Sequence, residues 1–205
     1  MSYFNKSSNE RGFTLVEVVV VIAVVALLAA IMTPLIAKNI DDAKNGRAEN
    51  EAAVIASALG NFYKDVGRWP TMNGSGAYNG VTTLVTGNSS DAGSNVQGNG
   101  WVSATSNGAV DFLDNHLLDN NPKAGTSTYP TTGRNAWSGP YLAGSPIDPW
   151  GTPYMINIAA TDSGSSSQKG FVISAGPDGV MDTVFATTRT TVPANDDIGI
   201  SFYVR

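Results

Sequence analysis

The chain has 205 residues, a net charge of −5, only 14% charged residues and no cysteine. That balance excludes a basic nucleic-acid groove, and the absence of thiols excludes disulfides and thiolate metal sites. A length of this order suits one domain plus an appendage, and the abundance of Gly, Ser, Thr and Asn suits a loop-rich protein outside the cytoplasm.

Met1 to Gly12 form a short polar leader with Lys6 and Arg11 against Glu10. An apolar run follows from Phe13 to Ile36, broken only by Glu17. About 20 such residues cross a bilayer as a helix. The basic leader sets Met1 in the cytoplasm and sends the rest across the membrane. A cleaved secretory signal does not fit, because the helical pattern continues past Lys38. Within the run, the Glu17 carboxylate costs a few kcal/mol unless something satisfies it. Pro34 removes one helix hydrogen bond. By itself it marks a kink where the helix leaves the bilayer.

Ile40, Ala43, Arg47, Ala48, Ala52, Ile55, Leu59, Phe62 and Val66 recur at spacings of three and four, with charged residues on the other side. This is an amphipathic stripe that must lie on something globular. Gly67 and Pro70 end it. If continuous from Phe13 to Val66, the helix is a rod of roughly 80 Å.

From Thr71 to about Gly139 the sequence is turn and loop material, interrupted by "VTTLV", "WVS" and "AVDFLDNHLL". The last of these reads as a short helix. Trp101, Tyr129 and Trp137 are expected to anchor the segment by packing. His116, the single histidine, reads as a packed or surface residue, and no GxSxG, HExxH or P-loop is present. The chain therefore reads as a non-enzyme. From Tyr141 onward, "PYMINIAA", "GFVISA" and "IGISFYV" are β-rich runs bounded by turn residues. They predict a small antiparallel sheet of three or four strands packed on the long helix, an α+β ladle. The expected divisions are 1–12, 13–36, 37–67, 68–140 and 141–205.

The stretch "RGFTLVEVVVVIAVVALLAAIMTP" resembles the cleavage and methylation segment of type IV pilins and type II secretion pseudopilins. The resemblance implies that a membrane-embedded prepilin peptidase cuts between Gly12 and Phe13 and methylates the new amine of Phe13. It also implies a role in assembly for Glu17 and Pro34, with the segment from about Ala26 to Pro34 unwinding in the filament as the alternative to a simple kink. In a helical filament, Glu17 of one subunit then meets the Phe13 amine of a neighbour, and two charges that are costly alone become tolerable together. Glu17 also suits the first turn of a helix on dipole grounds alone.

Three further stretches, "FYKDVGRWPT", "GPYLAGSPIDPWGTPYMI" and "FVISAGPDG" with the later "NDDIG", resemble the major pseudopilin of type II secretion. That resemblance implies an inner-membrane protein with a periplasmic head, assembled as a homopolymer. Its partners would be minor pseudopilins, the prepilin peptidase, an inner-membrane assembly platform and a secretion ATPase, with no nucleic acid. A surface type IV pilin is the alternative. The resemblance further implies a structural Ca²⁺ held by the Ala175 carbonyl, Asp178, Asp196 and Asp197; spacing alone reads these aspartates as β-turn formers. Two departures stand out. "MDTVFATTRTTV" lengthens the calcium loop and brings Asp182 as a ligand or a bystander, and the segment from about Gly87 to Asn135 is longer than the family's loop.

Overall fold

The computed structural model describes residues 12–78, 80–87, 99–101, 109–159, 169–185 and 191–203. The expected leader, apart from Gly12, lies outside the described residues. So do parts of the long 87–135 segment and residues 186–190 of the lengthened loop. The chain divides into two compact units, Met1–Ala43 and Lys44–Arg205.

The first unit is helical from Leu15, the start of helix α1 (Leu15–Val66). Helix α1 contains a window long and apolar enough to cross a membrane, and none of that window is buried within the chain. The helix runs through Pro34 without interruption. Thr33 adds a hydroxyl bond back to the Ala29 carbonyl (2.7 Å) in the turn just before the proline.

In the second unit the expected stripe is real but begins later. Ala48, Ala52, Ile55, Ala58, Leu59, Phe62 and Val66 are buried, whereas Ile40 is exposed and Arg47 pairs with Glu51 at the surface (2.8 Å). The helix ends as its sequence predicts. Gly67 adopts a positive φ of 73°, and its N–H reaches the Tyr63 carbonyl at 2.8 Å, closing the left-handed C-terminal turn that glycine tolerates best.

The sheet has five strands: β1 (Thr83–Val85), β2 (Val110–Phe112), β3 (Met155–Asn157), β4 (Lys169–Ser174) and β5 (Ile198–Tyr203), in spatial order β2-β1-β3-β4-β5. It is mixed, because β1 pairs with β2 in parallel while the other pairs are antiparallel. This corrects the expected antiparallel sheet of three or four strands. The additional strands come from the loop-rich segment, where three-residue strands are too short to show an alternation. The expected helix in "AVDFLDNHLL" is likewise split into β2 and a five-residue helix α2 (Leu113–Leu117). The class remains α+β.

Register places one side-chain row on each face. Leu84, Ile156, Val172 and Ile200 are successive cross-strand partners. They pack with Ala52, Ile55, Leu59, Phe62 and Val66 of α1. Each such large side chain, fully buried, contributes roughly 1.5–3 kcal/mol. One residue along, Phe112, Val85, Met155, Ile173 and Gly199 form the next row. Side chains alternate across a strand, so this row faces away from α1. A second core covers it, built with Trp101, Val110, Ala175, Met181 and Phe185. The sheet is therefore buried on both faces.

Behind α2, His116 is fully buried between two partners. Its Nε2 lies 2.8 Å from Asp111 Oδ2 and its Nδ1 lies 2.7 Å from the Tyr129 hydroxyl. Burial pushes the Asp111 carboxyl up, but the hydrogen bond and charge of His116, with Asn115 and the Lys123 amide, outweigh it and hold the carboxyl below its ordinary range. Tyr129 packs edge-on against Phe62 at 4.9 Å, and Trp137 donates its indole N–H to the His116 carbonyl (2.8 Å). The aromatic anchors expected from the sequence thus tie the loop segment to α1 and α2.

Candidate functional site

Two regions carry the residues singled out by sequence. The first is the start of α1. Gly12, Phe13 and Thr14 precede the helix, and Phe13 is highly exposed. Thr14 is the N-cap, since its carbonyl accepts the first helical bond from the Val18 N–H (3.3 Å). Its hydroxyl accepts a bond from the Glu17 N–H (3.3 Å), and the Glu17 carboxylate accepts bonds from the Thr14 N–H and hydroxyl (2.8 Å each). This reciprocal arrangement is a capping box, which satisfies donors that a helix start otherwise leaves bare. Within a single subunit the apparently stranded carboxylate of Glu17 is therefore occupied by its own chain. The signature Thr-x-x-Glu ahead of an apolar run was present in the sequence and would have disclosed the cap.

The second region is where the turn after β4 meets the approach to β5. Ala175 is buried at the end of β4. Gly176 follows at a φ of +66°, so close to the other loop that a Cβ there would collide with the Asp196 main-chain carbonyl. Hydrogen bonds stitch the two loops together. The Asp178 N–H meets Asp196 Oδ2 at 3.4 Å, the N–H groups of Asp182 and Thr183 meet Asp197 Oδ2 at 3.1 and 2.6 Å, and the Ala194 N–H meets the Thr183 hydroxyl at 2.9 Å.

This stitching brings one carboxylate oxygen each from Asp178, Asp182 and Asp196 within 4.8 Å of one another. Asp182, left undecided by the sequence, joins Asp178 and Asp196. Asp197 is turned to the Asp182–Thr183 backbone, and its second oxygen, Oδ1, is buried with no hydrogen-bond partner among the described residues. Burial raises the Asp197 carboxyl, against the pull of the Thr183 and Asp182 bonds. The three converging carboxylates of Asp178, Asp182 and Asp196 offer oxygen donors only, the chemistry that a hard divalent cation requires. Asp178 stays exposed, beside an open cleft lined by Trp150, Thr152 and Pro177.

A capped, exposed apolar helix led by a Gly–Phe junction, with a two-faced α+β unit after it, defines a pilin-like subunit. The profile of the prokaryotic N-terminal methylation motif matches residues 7–33, and that of type II secretion system protein G matches residues 123–189. The chain is 24% identical to a type II secretion system core protein G of Escherichia coli (strain K12), over 86% of this chain and 88% of the relative. It is 26% identical to the protein of that name from Klebsiella pneumoniae, over 93% of this chain and 94% of the relative. A fimbrial protein, EcpC of Eikenella corrodens, is 35% identical over only 38% of this chain and 49% of its own length. No solved structure matches the chain. In both the matched profile and the two core-protein relatives, the chain is similar to protein G of type II secretion.

Proposed function

We propose that this protein is a pseudopilin, the repeating subunit of a periplasmic type II secretion filament that drives folded proteins out of the cell. The observation that carries this reading is the junction Gly12–Phe13 set ahead of a Thr14–Glu17 cap and an exposed apolar helix. Cleavage there frees an ammonium group on Phe13. In the filament, Glu17 leaves its own cap to meet that ammonium on the adjacent copy. A subunit docked out of step strands both charges in an apolar bundle, so the pair enforces register. The subunit is anchored in the inner membrane by α1 with the second unit in the periplasm. Minor pseudopilins, a prepilin peptidase, an assembly platform and a secretion ATPase act on it. Its task is assembly rather than catalysis.

A structural Ca²⁺ belongs to the same reading. Asp178, Asp182 and Asp196, whose carboxylates converge, would hold it, and Asp197 and the Ala175 carbonyl are the further ligands that the family resemblance implies. Bound there, it neutralises converging carboxylates and clamps two loops in a chain that has no disulfide.

Deleting the gene and measuring exported protein tests the function. Cargo retained in the periplasm is the expected result; unaffected secretion together with loss of surface pili overturns it. Mass spectrometry of the mature chain is expected to find it beginning at a methylated Phe13, and a functional chain that keeps residues 1–12 refutes the processing.

A further inference from the structure

The two segments in which this chain departs from its family meet on the sheet face opposite α1. Asn99 and Gly100 both take positive φ, 49° and 90°, forming a tight turn within the long insertion. The Asn99 side-chain amide donates to the carbonyls of Met181 (2.9 Å) and Asp182 (2.6 Å). The Phe185 N–H returns a bond to the Asn99 carbonyl at 2.9 Å. Trp101, buried, donates its indole N–H to the Thr183 carbonyl (2.7 Å) and packs edge-on against Phe185 at 5.1 Å. Three successive carbonyls, from Met181 to Thr183, are thus held by one turn some 80 residues earlier in the chain. Asp182, the middle residue, is the carboxylate that the lengthened loop adds to the acidic cluster. On its other side, Asn195 Nδ2 reaches Asp182 Oδ2 at 2.6 Å.

We propose that the Asn99–Trp101 turn is a buttress for a divalent-cation site in which Asp182 is an added ligand, so that the insertion sets the affinity for the ion. The reasoning rests on the Ca²⁺ reading above. Affinity at such a site follows the number of charged ligands and the rigidity of the loop that presents them. Asp182 raises the first. Asn99 and Trp101 raise the second by fixing the backbone on which Asp182 is carried. Asn99 and Trp101 touch no ion; they are positioning residues.

The test uses the full mature chain in non-ionic detergent, stripped with a chelator, titrated with calcium chloride by calorimetry and melted with and without calcium. Asp182→Asn is expected to raise the calcium Kd roughly tenfold or more, and Asn99→Ala and Trp101→Phe roughly threefold to tenfold. Asn99 is solvent-exposed and Trp101→Phe keeps a ring in place, so both variants are expected to fold. A calcium-induced rise in melting temperature that shrinks in the variants supports the buttress. If the variants lower the melts with and without calcium equally and leave Kd unchanged, Asn99 and Trp101 are merely structural and the proposal falls while the Ca²⁺ reading stands. If the unaltered chain binds no calcium, both fall.

Discussion

Tyr129→Phe removes one oxygen atom from the interior and leaves the ring. That oxygen serves two buried groups: His116 Nδ1 at 2.7 Å, and the main-chain N–H of Met72. His116 is fully buried and Met72 nearly so, and neither gains water when the hydroxyl goes. An unsatisfied buried polar group costs about 1–3 kcal/mol, so losing partners for two gives about 2–6 kcal/mol, with about 3 expected because the pair relaxes together. The edge-on contact with Phe62 survives, so no cavity term is added. For a chain of this length 1 kcal/mol shifts the melting temperature by about 2–4 °C, and the variant should melt about 6–12 °C lower. The assay is thermal unfolding of the full chain in detergent, followed by near-ultraviolet circular dichroism, with Tyr63→Phe as a partly exposed control. A loss below about 2 °C would mean that His116 and Met72 find other partners and that the Tyr129 hydroxyl is dispensable.

Asp111 is held below its ordinary value of 3.8, so its stabilising contribution is present above that value and is lost as pH falls through the folded-state value. Asp111→Asn should therefore lower the melting temperature at pH 6, with the gap to the unaltered chain closing below about pH 3.8; a gap independent of pH would contradict the assignment. Glu17→Ala should leave membrane insertion intact while filament yield drops about tenfold or more, because the Phe13 ammonium is left unpaired among apolar helices; normal yield, quantified by shearing and immunoblot, would count against the charge pair. Gly176→Ala meets both a φ of +66° and the Asp196 carbonyl, so it should destabilise the unit by about 1–3 kcal/mol and weaken calcium binding. A fully stable variant in urea titration would show that the two loops are not held in that approach.

Local sequence alone fixes both ends of α1. Phe13, Glu17 and the apolar run are adjacent in the chain, and Gly67 stops α1 by a local conformational preference that needs no other residue. Strands β3 to β5 were legible because each carries a β-rich run between turn residues. The signals that failed were non-local. Strands β1 and β2 are three residues long, so their parallel pairing exists only because β3 offers one edge and the chain crosses over to supply the other. Phe112 and Leu113 fall on opposite sides of a strand–helix boundary that no period of so few residues can mark. Likewise, spacing leaves Asp182 a ligand or a bystander; the fold brings its carboxylate to Asp178 and Asp196, while Asn99 and Trp101 bond the backbone carbonyls of 181–183 from a distant turn. Spacing along a chain encodes what each element is; which elements share a face, and which carboxylates converge, depends on closures that only the packed chain completes.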